Sequence, residues 1–320
     1  MLYLTPDDEG LATAARLLDA GRLVALPTET VYGLAADAAN PDALREIFRA
    51  KGRPVDHPLI LHLAGVDQLR EWVTEVPPIV RQLAAVFWPG PLTLILVAGP
   101  RASSLITGGQ TTLAVRVPSH PVMQAVLRRL GRGVAAPSAN PYGQVSPTTS
   151  AHVQRHLTGR IAAVVDGGPC QIGIESTILD LTAGEPAILR PGAITAAMLA
   201  PYVQLAESSH TSGTRAPGGL PRHYAPCTPC YRIAAGTAAR PDMAGRVGLL
   251  AQREPRWPVA HFWPMPDTPD DFARVFYAAL HAADASGCDA LLVALPPDGP
   301  EWRAVHDRIL RATRPLPPAS

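Results

Sequence analysis

Residues 23–34 of the chain read LVALPTETVYGL. The first four residues form a short apolar run, which predicts a buried strand that ends at the proline. Thr28, Glu29 and Thr30 then place two hydroxyls and a carboxylate in the following turn. Because α/β proteins bind ligands where strands end, this turn is a candidate site. The alternative is an ordinary turn whose polar side chains bond their own backbone.

Short apolar runs and helical patterns continue on both sides of this turn without strict alternation, which favours an α/β domain with a mixed sheet. The predicted strands are residues 23–26, 58–63, 92–97, 113–117, 134–137, 162–166, 177–181 and 187–189. The first predicted helix has Thr5 as its N-cap and stops at Gly21, and the second opens at Asn40-Pro41 and ends before Gly52. Further helical patterns cover residues 66–73, 79–88 and 119–130.

The pattern fails between about Leu205 and Arg222, where Ser, Thr, Gly, Pro and His predominate, as in a linker. After it, apolar runs at 247–250, 259–262 and 291–295 flank helical patterns at 270–285 and 301–312. This order predicts a small parallel sheet. The predicted divisions are an N-terminal α/β domain at 1–204, a linker or lid at 205–228, and a C-terminal domain at 229–320.

Composition excludes several classes of protein. Of the 320 residues, 47% are hydrophobic and 17% are charged, which is enough apolar material for a core and argues against disorder. The net charge of +1 lacks the excess of a protein held to nucleic acid mainly by phosphate neutralisation. No apolar run approaches the ~18 residues of a membrane helix, and the acidic N-terminus has no basic signal region. We therefore expect a cytoplasmic protein without membrane contact.

Four cysteines are too few for a disulfide framework in a chain of this size. Cys227 and Cys230 form a single C-x-x-C, whereas a structural zinc site needs a second pair of ligands. We interpret this pair as incidental.

Lys51 is the only lysine among 28 basic side chains, and Arg53 follows it two residues later. Gly52 and Pro54 break the helix there, so we expect both cations on an exposed turn. A lysine ammonium beside an arginine guanidinium, which can donate two parallel hydrogen bonds, suits a polyphosphate. The alternative is that the helix dipole alone favours cations at this end.

Alternation in the strand near residue 115 places Thr112, Ala114 and Arg116 on one face. A buried arginine must meet a carboxylate, from the protein or from a ligand. No glycine-rich phosphate loop is present, so a bound nucleotide would be held by side chains and other turns. Polar residues at predicted strand ends and turns supply further candidates: Ser138, Asn140, Ser146, Ser176 and Arg190.

In this order, the motifs resemble the YrdC-like family, specifically its two-domain threonylcarbamoyl-AMP synthases. The resemblance implies a twisted mixed sheet with flanking helices and a small, Rossmann-like C-terminal α/β domain. Two details depart from the family: Leu220 stands where a methionine is usual, and DGPEW follows ALPP (294–297) in place of a glycine-rich turn. The matching segments are PTETVYGLAADA (27–38), KGRPVDHPLILH (51–62), WPGPLTLIL (88–96), LAVRVPSHP (113–121), APSANPYGQVSPT (136–148), IESTILDL (174–181), ILRPGAI (188–194) and PGGLPRHYAP (217–226).

The resemblance implies synthesis of L-threonylcarbamoyl-AMP from L-threonine, bicarbonate or CO2, and ATP, with release of pyrophosphate. Mg²⁺ is expected only because ATP brings it. The product would pass to a tRNA threonylcarbamoyltransferase that modifies adenosine beside the anticodon; direct RNA contact is not required.

The resemblance also assigns roles to individual residues. Lys51 and Arg53 would be catalytic through the ATP phosphates. The implied ATP site comprises Lys51, Arg53, His57, Thr112, Ser138, Asn140, Ser146 and Arg190. The implied L-threonine site comprises Thr30, His62, Arg116, Ala136 and Ser176.

Two other functions share this kind of domain: carbamoyl transfer in hydrogenase maturation and pure RNA binding. Carbamoyltransferases of that kind are far longer and carry zinc fingers, and the near-neutral charge argues against RNA binding as the main task.

We further expect the linker to act as a lid. Arg222, His223 and Tyr224 at its end offer a cation, a titratable donor and an aromatic face to a nucleotide. We predict that His223 or Tyr224 contacts ATP or the adenylate, with the linker ordered only when ligand is bound.

Overall fold

The computed structural model describes residues 1–206, 213–218, 223–237 and 241–316. The chain divides into two compact units. The first consists of residues 1–142, 147–171 and 175–219, and the second of residues 143–146, 172–174 and 220–320. The sequence-based divisions stay predictions. Arg222, with much of the predicted lid, lies outside the described residues.

Ten described strands of the first unit form one mixed sheet in the order β1-β8-β2-β3-β7-β4-β6-β5-β9-β10. Central neighbours are parallel in one pair, β4 and β6, and antiparallel in the next, β6 and β5. The strands are β1 (Leu2–Leu4), β2 (Val24–Leu26), β3 (Gly33–Asp37), β4 (Ile60–His62), β5 (Leu92–Val97), β6 (Thr112–Arg116), β7 (Val134–Ala135), β8 (Ala163–Val165), β9 (Thr177–Asp180) and β10 (Ala187–Arg190).

Helices cover both faces of this sheet, because successive side chains of a strand point to opposite sides. Val24 and Leu26 pack with residues of α1 and α5, whereas Ala25 packs with residues of α2 and α3. The helices are α1 (Asp8–Asp19), α2 (Pro41–Lys51), α3 (Pro78–Phe87), α4 (Ser104–Thr107), α5 (Pro121–Leu130), α6 (Ser150–Leu157) and α7 (Ala196–Leu199), with a 3-10 helix at Val66–Glu71.

The second unit contains a five-stranded parallel sheet in the order β13-β12-β14-β11-β15. Its core includes Leu249, Leu292 and Trp257. The elements are β11 (Cys230–Ile233), β12 (Val247–Ala251), β13 (His261–Pro264), α8 (Pro269–Asp284), β14 (Ala290–Ala294), a 3-10 helix (Pro300–Trp302), α9 (Arg303–Ala312) and β15 (Arg314–Pro315).

The predicted fold class, a mixed α/β domain followed by a small parallel α/β domain, is confirmed. One predicted cap is wrong: α1 is capped by Asp7, whose side chain accepts from the Gly10 N–H, and not by Thr5. The second half of the opening motif, from Gly33, forms strand β3, which the sequence reasoning missed. No described helix has the length and apolar character that a bilayer crossing requires.

Candidate active site

Helix α2 positions the only lysine. Its N-cap is Asn40, whose side chain accepts from two backbone N–H groups, and its C-cap is Gly52, whose φ of 63° lies in the left-handed region that glycine tolerates. Lys51 is therefore the last helical residue, and its Nζ donates to the carbonyls of Ser138 and Asn140, each at 2.5 Å. Burial, and then the charge of Arg53, lower the pKa of Lys51 well below its usual value.

The expected exposure of these cations is wrong. Lys51 is 3% exposed and Arg53 is also buried, because the helix end turns inward onto the segment around Ser138. Arg53 donates to the Pro58 carbonyl at 2.8 Å, and its guanidinium lies 5.7 Å from the centre of the Tyr142 ring. The half-buried His57 meets that ring edge-on, so Lys51, Arg53 and His57 form one group.

The parallel pairing of β4 with β6 places His62 directly beside Arg116, at the carboxyl end of both strands. The Arg116 guanidinium is held on three sides. Nη1 donates to Thr30 Oγ1 at 2.9 Å, Nε donates to the Gly90 carbonyl at 3.1 Å, and Nη2 lies 2.7 Å from Glu29 Oε1. Thr30, His62 and Arg116, all predicted for threonine, therefore lie together.

Glu29 belongs to the candidate turn of the opening motif, but no role in the threonine or ATP site was predicted for it. Burial favours its neutral form, but the charge and hydrogen bonds of Arg116 and the Ser119 N–H hold its pKa below the usual value. The signal that could have found it was the requirement that a buried Arg116 meet a carboxylate.

His62 is buried and neutral. Burial, and then the charge on Arg116, lower the pKa of His62 to about 3. Its Nδ1 lies 3.2 Å from the Ile60 carbonyl. Since a carbonyl can only accept, the proton is on Nδ1, and Nε2 carries a lone pair that can accept a hydrogen bond.

Ser176 and Arg190 lie at the same end of the sheet as Arg116. The Thr177 N–H donates to the Pro91 carbonyl, next to the Gly90 that Arg116 bonds. Leu189 is skipped in the pairing of β10 with β9, and this irregularity precedes Arg190. Arg190 then donates to the Ser176 carbonyl at 3.0 Å and to its hydroxyl at 3.1 Å.

Thr112 lies apart from this group. It begins β6, whereas Arg116 ends it, so their Cα atoms are about 13 Å apart at ~3.3 Å per residue. Between them, Ala114 belongs to an apolar patch with Ile60, Ile95 and Ile178. The sheet face thus has two polar ends with an apolar centre.

The described linker segment 213–218 lies along this face. Arg215 donates to the Gly108 carbonyl at 2.7 Å, Ala216 packs on the apolar patch, and the Pro217 carbonyl accepts from Arg190 at 3.1 Å. Residues 215–217 therefore run across the sheet face, from the end near Gly108 to the end that holds Arg190.

The remaining predicted residues fall in two places. Ser138, Asn140 and Ala136 belong to the first unit; the first two bond Lys51, and the Ala136 N–H donates to Ile60. Ser146, His223 and Tyr224 belong to the second unit.

Within the second unit, the Ser146 carbonyl lies 3.1 Å from His281 Nε2. The buried Tyr224 ring lies 5.7 Å from that of Tyr277 and 5.4 Å from the Arg308 guanidinium. Tyr224 has a φ of 61°, which is costly for a bulky residue.

Gly192 supports the position of Ser176, and replacing it with alanine is expected to destabilise the protein. A Cβ there would lie 2.4 Å from the Thr177 nitrogen and 2.7 Å from the Ser176 carbonyl carbon, so backbone must move. We expect a loss of ~1–3 kcal/mol in the free energy of unfolding, measured in urea, and reduced activity. Gly184→Ala, where no atom lies within 4 Å, is the matched control. Equal unfolding midpoints for the two variants would show that the site tolerates the change.

Comparison with known proteins covers both units. The family model Sua5_yciO_yrdC, described as telomere recombination, matches residues 16–192, and the model for the threonylcarbamoyl-AMP synthase C-terminal domain matches residues 194–313. The threonylcarbamoyl-AMP synthase of Bacillus subtilis is 38% identical over 97% of this chain and 94% of its own.

Two solved structures of Pyrococcus abyssi Sua5 are also similar. A His-to-Ala, Tyr-to-Ala double variant has a TM-score of 0.89 at 32% identity, covering 98% of this chain and 96% of that one. The complex with L-threonine has a TM-score of 0.87 at 34% identity, covering 98% and 97%. Since these matches span nearly the whole chain, the protein belongs to the Sua5/YrdC family and is an enzyme of its threonylcarbamoyl-AMP synthase branch, with both domains.

Proposed function

We propose that this enzyme makes L-threonylcarbamoyl-AMP from L-threonine, bicarbonate or CO2, and ATP, and releases pyrophosphate. The observation that carries the proposal is the environment of Lys51. It is buried, it has no carboxylate partner within the described residues, and Arg53 lies close enough to lower its pKa. Because a buried cation without a counter-ion is costly, this arrangement favours an anionic ligand, and a polyphosphate supplies the missing charge.

Threonine fits the other end of the face. A guanidinium has five N–H groups; Thr30 accepts from one on Nη1, Gly90 accepts from the one on Nε, and Glu29 forms an ion pair with Nη2. The second N–H of Nη1 and an N–H of Nη2 can together bind a carboxylate in two places. The neutral His62 offers an acceptor beside them. The relative's complex with L-threonine supports threonine as a ligand of this kind of enzyme.

The reaction then follows from positioning and charge. The uncharged amine of threonine adds to CO2 and loses a proton to give a carbamate. A carbamate oxygen attacks the α-phosphorus of ATP, the bond to the β-phosphate bridging oxygen breaks, and pyrophosphate leaves. Lys51 and Arg53 would stabilise the charge that builds on the phosphates. No covalent enzyme intermediate is needed.

Mg²⁺ would arrive with ATP. Among the described residues, no three His, Cys, Asp or Glu side chains gather in a way that could hold a metal ion. We therefore expect Mg²⁺ to be held mainly by the triphosphate and water, as this ion commonly is.

The linker is proposed to cover the ATP site, as its contacts with Gly108 and Arg190 suggest. Limited proteolysis between Ser208 and Arg222 should be fast in the free enzyme and suppressed by ATP plus threonine. Arg215→Ala should weaken that protection, because it removes the bond to Gly108 and the ion pair with Asp56. Equal cutting with and without substrates, or full activity after truncation at Leu205, would contradict a lid.

Contacts of His223 and Tyr224 with ATP stay predictions. Within the second unit, both side chains are buried, and the Tyr224 ring lies near that of Tyr277. Transfer of the product to a tRNA threonylcarbamoyltransferase and a cytoplasmic location also stay predictions.

An assay for pyrophosphate release tests the proposed function. Release should require threonine and bicarbonate together, and omission of either should reduce it to background. Release that needs ATP alone, or that proceeds with carbamoyl phosphate in place of threonine and bicarbonate, would contradict it.

A further inference from the structure

A cavity of about 430 Å³ lies in the second unit, at the carboxyl edge of its parallel sheet. Most of its described lining comes from the segments that follow three adjacent strands: residues 234–237 after β11, residues 252–257 after β12, and Leu295 after β14. This volume falls in the lower part of the range for small-molecule sites.

The strand order places the cavity at a divergence of the chain. After β12 the chain continues to β13, which lies on one side, and after β14 it continues through α9 to β15, which lies on the other. The chain therefore leaves the carboxyl ends of the neighbouring strands β12 and β14 in opposite directions. Open parallel sheets bind ligands in the crevice that such a divergence creates.

The lining combines an apolar floor with a charged rim that holds Arg253, Arg256 and the exposed carboxylate of Glu254. Ile233, Leu249 and Ala294 end or approach the ends of three strands and form the floor. At the rim, Arg253 is paired with Asp267 at 2.8 Å, whereas the exposed Arg256 has no ion-pair partner within the described part of the chain.

The two loops that flank the cavity are tied together. Trp257 Nε1 donates to the Thr237 carbonyl at 3.1 Å, so the buried indole joins the loop after β12 to the loop after β11. Three backbone N–H groups in these loops have no acceptor among the described residues: those of Ala235 and Gly236 after β11 and that of Arg256 after β12. The cavity thus presents backbone hydrogen-bond donors and the Arg256 guanidinium above apolar surface, with one carboxylate, Glu254, on the same loop.

We propose that this cavity is a second ligand site, which takes a small organic anion with a flat or apolar body, of the mononucleotide class. The apolar floor would accept the base, and Arg256 with the loop N–H groups would hold the phosphate. The site belongs to the second unit alone, so the inference does not rest on the proposed synthase reaction.

The test follows the indole of Trp257 in the full-length enzyme. The chain has five tryptophans, so the protein is prepared with 5-fluorotryptophan and the Trp257 signal is assigned in fluorine NMR with Trp257→Phe. AMP is titrated as the probe. We expect a saturable shift of the Trp257 signal, and Arg256→Ala should raise the AMP concentration at half-saturation at least about tenfold, the effect of losing one charged hydrogen bond.

Arg303→Ala is the matched control, because Arg303 is also an exposed arginine of the second unit without a described ion-pair partner. Its titration should coincide with that of the unaltered enzyme. The absence of a shift with AMP, an unchanged curve in Arg256→Ala, or an equal response to inorganic phosphate alone would overturn the proposal.

Discussion

Replacing Lys51 with alanine is expected to lower pyrophosphate release at least ~100-fold, the scale for removing one contact that stabilises transition-state charge. The side chain is buried beside Arg53, and its Nζ bonds the Ser138 and Asn140 carbonyls. The ammonium also has a third N–H, which can donate to a phosphate. Steady-state kinetics with ATP, threonine and bicarbonate measure the loss.

The control for this variant must account for stability. Alanine leaves two carbonyls without their donor, at a cost of ~1–3 kcal/mol for each group that stays buried. Urea unfolding should therefore be measured alongside activity, with Arg49→Ala as the matched variant, since Arg49 is an exposed cation of the same helix. Near-normal turnover and unchanged ATP affinity in a folded Lys51→Ala protein would refute a phosphate role for Lys51.

Arg116→Lys is expected to raise the Kd for threonine at least ~30-fold while changing the Kd for ATP by less than about threefold. An ammonium cannot bond Thr30, Gly90 and Glu29 in a plane and still grip a carboxylate in two places. Calorimetry with threonine, and separately with ATP, measures the difference.

Glu29→Gln tests the role of the Arg116 guanidinium by changing its ion-pair partner. The substitution keeps the shape of the side chain but removes the counter-charge 2.7 Å from Arg116. The affinity for threonine should therefore differ from that of the unaltered enzyme. Glu46→Gln, on an exposed pair with Arg49, is the matched control. Unaltered threonine affinity in Arg116→Lys would mean that Arg116 serves only its ion pair with Glu29.

Much of the fold follows from local patterns in the sequence. Helix α2 carries its own start and stop signals in Asn40, Pro41 and Gly52, and the structure has the same limits. The missed strand β3 reads GLAAD, without β-branched or aromatic residues, and its identity as a strand comes from pairing with β2 and β7. Pairing of this kind depends on distant residues, so no local pattern could reveal it.

The candidate site was predictable by residue type but not by environment. The sequence indicated that Arg116 needs a carboxylate, yet only the pairing of β4 with β6 brings His62 beside it, and only the turn after β2 brings Glu29. The burial of Lys51 depends on carbonyls that follow it by 87 and 89 residues. Such separations leave no local signal, and for that reason an exposed turn was expected.

The proposed reaction joins threonine, inorganic carbon and ATP into an adenylate at one active site. The most direct measurement incubates the enzyme with ATP, threonine and ¹³C-labelled bicarbonate and identifies the product by mass spectrometry. We expect threonylcarbamoyl-AMP that carries the label in its carbamate carbon and forms in step with pyrophosphate. Pyrophosphate release without a labelled adenylate, or an adenylate of threonine that lacks the labelled carbon, would contradict it.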